Sequence, residues 1–413
     1  MRSKLGWVIS LLLAAILLAV GNLCSAEQKV LRFSSWNNEG DYPAVFEIVA
    51  QRFEKDYPDY KVEIVWIPWA NYNAKTKAAI AAGDPYEITE VHPGAWNYSL
   101  AKAGVLRPLT NEKGFPDFYE PIVADLTFFG EQWTVPMDVN NLMVAYNKTI
   151  FDRFGLSIPR TQDELVDICK KLKKDNIYGI ALGNKNFWTG GDVWFQMMVY
   201  TDPTHKLVRE ADNGKVSFKK PEFVEAAKKI VELVNKGVFV PGINGMDYYT
   251  GAFGFFSREK AAMFYPAGTW IVGGIDRGLP EGTEWEMFPF PAISSDQEPT
   301  ATGGPATNWA VPAQANYQDA AIELLRYLCD DEAKKTLLKY KMIPSSPLTF
   351  ELEIKDPIFK AMFDAQATAQ TRWIFHTPIY ERLTHVMQGL IDGELTPEQF
   401  CADVEKVSQS IER

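Results

Sequence analysis

The chain is predicted to be an α/β protein built as two lobes. Strand-like and helix-like patterns alternate along most of its length, which points to βα units and largely parallel sheets. Its 413 residues, 46% hydrophobic and 23% charged, also suffice for two separately cored units.

Residues 1–26 stand apart from that pattern. Arg2 and Lys4 precede an apolar run over 5–20, and Cys24-Ser25-Ala26 supplies small residues before Glu27. The run is short for a membrane span, so it reads as a secretory leader cut after Ala26, with a periplasmic or extracellular protein as the consequence. Lipid attachment at Cys24 is disfavoured, because Leu23 is not the small residue expected just before such a cysteine.

The first strand is expected over 30–36, followed by the loop Asn37-Asn38-Glu39-Gly40. Val45, Phe46, Val49 and Phe53 then recur at helical spacing until Tyr57-Pro58. A strand over 61–67, a helix over 71–82 closed by Gly83, a strand over 86–91 and a short helix up to Gly104 continue the alternation. Short strands over 132–135 and 142–146 flank the Asn140-Asn141 pair, and an amphipathic turn over 148–154 ends in Gly155, a residue suited to a left-handed helix terminus. Thr161-x-x-Glu164 is a capping box that opens a helix to about 174, which feeds a strand over 178–182. Pro221 opens a helix closed by Gly237, 317–328 and 380–390 are amphipathic, and Thr396-Pro397-Glu398-Gln399 is another capped start.

The formal charge is −11, and removing the leader, with its basic Arg2 and Lys4, makes it more negative still. Such a surface disfavours nucleic acid and anionic lipid. Cys169, Cys329 and Cys401 remain after the leader, an odd number that rules out a disulfide framework, although Cys329 and Cys401 could pair. Four scattered histidines and the absence of HExxH or CxxC predict no metal and no cofactor. No GxSxG elbow, phosphate-binding loop or dinucleotide fingerprint is present, so no catalytic residues are expected.

Several stretches, taken in order, carry a resemblance. GEQWTVPMDVNNLMVAYNKTIFDRFG (130–155), AAGDPYEITEV (81–91), SREKAAMFYPAGTWIVGGI (257–275), WEMFPFP (285–291) and TGGPATNWAVP (302–312) together resemble the extracellular solute-binding proteins of ABC importers, family 1, which includes the maltose-binding proteins. The second stretch has Tyr86 and Glu87 where the family usually has proline and aspartate, and the third lacks the family's first glycine. The resemblance implies the type II periplasmic-binding-protein fold, with a ligand cleft between lobes joined by several hinge segments. It places 27–142 with 266–313 in an N-terminal lobe and 143–265 with 314–413 in a C-terminal lobe, with hinges near 140–147, 265–268 and 312–319. It implies a monomer that captures a sugar, and an oligosaccharide in particular, by closing its lobes and then presents it to a membrane permease.

The residues support a sugar independently. Twelve Trp, 17 Tyr and 25 Phe provide flat apolar plates for the C–H face of a pyranose, while carboxylates, amides and arginine suit its rim of hydroxyls. Trp36, Trp69, Trp96, Trp188, Trp194 and Trp270 fall beside polar residues or glycines and are the candidate plates; for each the alternative is a place in the core. Glu39, Glu87 and Asp138 are candidate hydroxyl acceptors, and the alternative is a solvated or capping carboxylate. Gly303 and Gly304 could admit backbone amides close to ligand, or simply make a tight turn. Arg372, beside Trp373, could bind ligand or stack within its own lobe. Competing readings are a ferric-iron or polyamine receptor, although Tyr248 and Tyr249, as successive strand residues, would point to opposite faces and not share an iron; a secreted glycosidase; and the sensor domain of a membrane receptor.

Overall fold

The computed structural model describes residues 28–411 except 39, 203, 205, 367–368, 372–374 and 377. The leader, Glu39 and Arg372 therefore lie outside the described residues. No described helix is long and apolar enough to cross a membrane.

Two sheets divide the molecule into two lobes. In the first, Lys29–Ser35 pairs in parallel with Tyr60–Trp66 on one side and Ile88–Glu90 on the other. Asn308–Ala310 and Val135–Pro136 complete this sheet in antiparallel order. Helix Tyr42–Asp56 covers it with Val45, Phe46, Val49 and Phe53, the residues whose spacing predicts the helix.

The second sheet is centred on the ten-residue strand Asp138–Asn147, which pairs antiparallel with Thr302–Pro305, Ile343–Pro344, Trp285–Phe288 and Ala261–Ala267. Tyr178–Ala181 adds a parallel edge. The expectation of largely parallel sheets thus fits Tyr60–Trp66, Lys29–Ser35 and Ile88–Glu90 of the first sheet and fails in the second, where four strands run against Asp138–Asn147. The Asn140-Asn141 pair does not interrupt that strand: Asn141 is buried within it and donates from Nδ2 to the Met362 carbonyl at 2.8 Å.

Several local expectations hold residue for residue. Gly155 ends helix Lys148–Phe154 in the left-handed conformation, and capping boxes form at Thr161 and Thr396. The chain division differs from the expected one. Segment 266–305, expected with the first lobe, contributes Ile271, Ile275, Met287 and Phe290 to the second core, whereas Ile322, Leu325, Leu337 and Met342, expected in the second lobe, sit in the first core. The chain crosses between the sheets at 137–138, 305–308 and 342–343. Amphipathic periodicity says that a helix has a buried face; it does not say which of two cores receives it. Cys169, Cys329 and Cys401 are all buried free thiols, and Cys329 and Cys401 do not pair.

Candidate binding cleft

Parallel strands deliver the first wall of the site. Lys29–Ser35 and Ile88–Glu90 run side by side, so Trp36 leaves the sheet at the same edge as Glu90 and His92. Ligand sites in α/β sheets form at this carboxyl edge. Trp69 opens helix Trp69–Ala81, and Trp96 lies in the first turn of Ala95–Lys102. Their rings converge: Trp36 lies 5.1 Å from Trp69 and 5.9 Å from Trp96, while Trp69 and Trp96 are 5.5 Å apart. Buried Tyr72 backs Trp36 at 4.8 Å, His92 borders Trp69 at 5.6 Å, and Trp69 stays 45% exposed. The three tryptophans that sequence reasoning selected in this lobe therefore form one aromatic surface.

Beside that surface lies a polar floor. Glu90 is buried and accepts from Ser35 Oγ at 2.5 Å, Asn37 Nδ2 at 2.5 Å and the Trp36 amide at 3.1 Å. Burial pushes its carboxyl well above the usual range, although the three donors pull the other way. Asn37 Nδ2 also reaches Thr307 Oγ1 at 3.5 Å. The next carboxylate, Asp138, accepts from Tyr42 Oη at 2.6 Å and the Thr307 amide at 3.0 Å. Burial pushes Asp138 up to about 6, against the hydrogen bonds from Tyr42 and Thr307.

Asp138 stands at the start of the hinge strand, and its carbonyl accepts the Ala306 amide while its strand pairs with Pro344. It thereby ties the three crossing segments together, a structural place rather than that of a solvated loop carboxylate.

The second lobe contributes another set of rings. Trp188 opens helix Trp188–Thr201, held by Asn184 Oδ1, which accepts from the Gly190 amide at 2.9 Å. Its ring is 4.8 Å from Tyr248 and 6.2 Å from Trp270, and Tyr249 is 41% exposed beside Tyr248. Trp270 packs against both cores. The loop after Trp36 is seated on the same helix: Gly40 has φ +64°, and a Cβ there would stand 2.8 Å from the Trp270 carbonyl oxygen, while Arg277 bonds Asp41 at 3.3 Å. Asn140 Oδ1 accepts from both the amide and the hydroxyl of Thr269, which fixes the start of the Trp270 helix to the hinge strand. Trp36, Trp69 and Trp96 thus form one aromatic set and Trp188 with Trp270 a second, joined through the loop at Gly40 that rests on the Trp270 carbonyl.

Other candidates fall elsewhere. Trp194 is 1% exposed and stacks on Phe223 at 5.9 Å; it is a core residue, since the helix that carries it is buried on nearly every side. Glu87 is 1% exposed and occupied by Arg32, whose amide donates at 2.8 Å and whose Nε donates at 3.3 Å. It lies before the strand that ends in Glu90, at the end away from Trp36. Gly303 and Gly304 lie in a strand against the hinge; a Cβ at Gly303 would meet Asn141 Oδ1 at 2.7 Å, so its bareness serves sheet packing. Tyr248 and Tyr249 belong to the single π-turn Tyr248–Ala252 rather than a strand, and Tyr248 Oη donates to the Pro266 carbonyl at 2.7 Å. Burial raises that phenol well above its ordinary range, which opposes a phenolate ligand. Among the described residues, no group of three or more His, Cys, Asp or Glu side chains is placed to hold a metal ion. Sequence reasoning missed Glu90, Thr307, His92 and Tyr249; only the pairing of two strand ends signals the first.

The profile of the family described as bacterial extracellular solute-binding protein matches residues 36–335. An uncharacterised ABC transporter extracellular-binding protein of Pyrococcus horikoshii is 24% identical over 394 residues, covering 91% of this chain and 82% of its own. The multiple sugar-binding protein of Streptococcus mutans is 23% identical over 357 residues, covering 84% and 82%. Among solved structures, a chitin oligosaccharide binding protein superposes with a TM-score of 0.78 at 24% identity, covering 92% of this chain and 98% of that one.

Proposed function

Because the chain belongs to the bacterial extracellular solute-binding proteins, we propose that it is the capture component of an ABC importer for an oligosaccharide. The family is one of extracellular binding proteins rather than enzymes, which gives the glycosidase alternative no footing. The observation that carries the sugar reading is the surface of Trp36, Trp69 and Trp96 bordered by Glu90, Asn37 and Thr307. Rings of this kind stack on pyranose C–H faces, while Asn37 and His92 offer polar atoms to hydroxyls. The names of the relatives agree with a saccharide.

Capture would proceed by closure about the three crossing segments, bringing Trp188 and Trp270 onto a ring already resting on the first wall. The closed form, stabilised by contacts to both lobes, is what the permease would recognise. In this reading the protein is exported with loss of residues 1–26, is not lipidated at Cys24 and acts as a monomer.

Thermal unfolding of the chain from Glu27 onward, measured against mono- and oligosaccharides, polyamines and ferric iron with product analysis in the same wells, tests this. At one hundred times its dissociation constant a ligand stabilises the fold by about 2.7 kcal/mol, which moves the midpoint by degrees. An upward shift with an oligosaccharide and no products is expected. Shifts with iron or polyamines alone would overturn the sugar reading.

A further inference from the structure

The hairpin formed by Thr127–Phe128 and Glu131–Gln132 turns through Phe129 and Gly130. Both turn residues have positive φ, +57° and +79°, as in the mirror-image turns of tight hairpins, where Asn-Gly is the favoured pair. A phenylalanine is poorly suited to that conformation. It gains nothing by burial either, being 58% exposed, and a Cβ on Gly130 would meet nothing within 4 Å. Local backbone preference and the hydrophobic effect both oppose this side chain.

The tip is rigidly presented. Trp133 Nε1 donates to the Phe128 carbonyl at 2.9 Å, and Thr127 Oγ1 donates to the Val123 carbonyl at 2.8 Å. Phe129 lies 5.2 Å from Tyr98, which belongs to the same short helix as Trp96, and Trp96 and Tyr98 pack on one apolar cluster with Phe128 and Trp133. Tyr98 also lies parallel to His376 at 5.7 Å, and Phe128 meets His376 edge-on at 4.5 Å, so the hairpin stands where the lobes meet.

The geometry points to an outer saccharide subsite at this rim, where exposed Phe129 is the plate for a further pyranose unit of the bound oligosaccharide. This assignment rests on the sugar reading and deepens it, because a subsite beyond the tryptophan surface selects longer chains over mono- and disaccharides.

Calorimetric titration of wild type, Phe129→Asn and Phe129→Tyr with melibiose, raffinose and stachyose, and with chitin oligomers of two to four units, tests it. Asparagine is at ease in the turn, so loss of the ring is separated from loss of the fold, and tyrosine keeps the plate. In the series that wild type binds, Phe129→Asn should lose about three- to tenfold in affinity for the longest member and nothing for the shortest, with Phe129→Tyr close to wild type. Equal affinity of Phe129→Asn at every length would overturn the subsite and leave the receptor reading intact. That result combined with impaired uptake in cells would assign Phe129 to permease contact instead. Absence of wild-type binding to every member of both series would overturn the oligosaccharide reading and the subsite with it.

Discussion

The rings around Trp36 and those around Trp194 are packed to similar spacings, yet they serve different ends. Trp36, Trp69 and Trp96 have centroids 5.1 to 5.9 Å apart; Trp194 has Phe195 at 5.4 Å and Phe223 at 5.9 Å. What separates them is the outer side. The first set keeps Trp69 open to solvent and borders Glu90 and Asn37, whereas Trp194 is enclosed by apolar rings from a helix and a loop of the same lobe. Aromatic density alone therefore does not separate a candidate site from the core; an accessible face beside polar groups does.

The comparison can be broken most decisively at Trp194. Trp194→Ala should lower unfolding free energy by about 4 kcal/mol in urea titrations, through lost transfer energy and the cavity left behind. A loss below about 1 kcal/mol would mean that the ring is not part of the core.

Asp138 comes next, as the link between the aromatic surface and the hinge. Asp138→Ala leaves Tyr42 Oη and the Thr307 amide without an acceptor, for an expected loss of about 2–3 kcal/mol in the same assay. Its carboxyl is raised to about 6, so protonation favours the folded state. This group's contribution is fully present below the ordinary carboxylate range and is lost as pH rises through about 6. Asp138→Asn should accordingly flatten the decline in stability between about pH 4 and 6, seen as a smaller change in denaturation midpoint across that window.

Trp36→Ala should weaken the oligosaccharide found in the thermal screen by about 30- to 100-fold, equivalent to about 2–3 kcal/mol, measured by calorimetry. An unchanged affinity would remove the tryptophan surface from the site.

The smallest effect should come from Trp69→Ala. With 45% of its surface exposed, its loss should leave stability within about 0.5 kcal/mol while reducing sugar affinity about tenfold. Together the tryptophan substitutions should separate the two effects, with stability lost chiefly at Trp194 and affinity chiefly at Trp36 and then Trp69.

Much of the framework was legible because its signals are local. Capping boxes at Thr161 and Thr396, Gly155 as a helix end and the apolar stripe of Val45, Phe46, Val49 and Phe53 depend on residues within a turn or two of one another. Trp36 stands out in the same way, since apolar periodicity does not require it, and the structure groups it with Trp69 and Trp96. Glu87 and Glu90 were not separable, because both lie next to one short strand and only its pairing with Lys29–Ser35 shows which end meets Trp36 and which meets Arg32. Trp194 misled because Gly190-Gly191-Asp192 reads as a loop, while the structure continues a helix through it against Asn184, Met387 and Tyr380.

The sequence by itself determined the alternation of strands and helices, the aromatic supply for a sugar site and the punctuation at element ends, all set by the chemistry of neighbouring residues. Only the tertiary structure decided which core received 266–305 and 318–342, that Asp138 ties the crossing segments, and that Glu90 rather than Glu87 lies beside Trp36. Those outcomes depend on contacts between residues tens to hundreds of positions apart, and a hydrophobic face or a lone carboxylate carries no label for its distant partner.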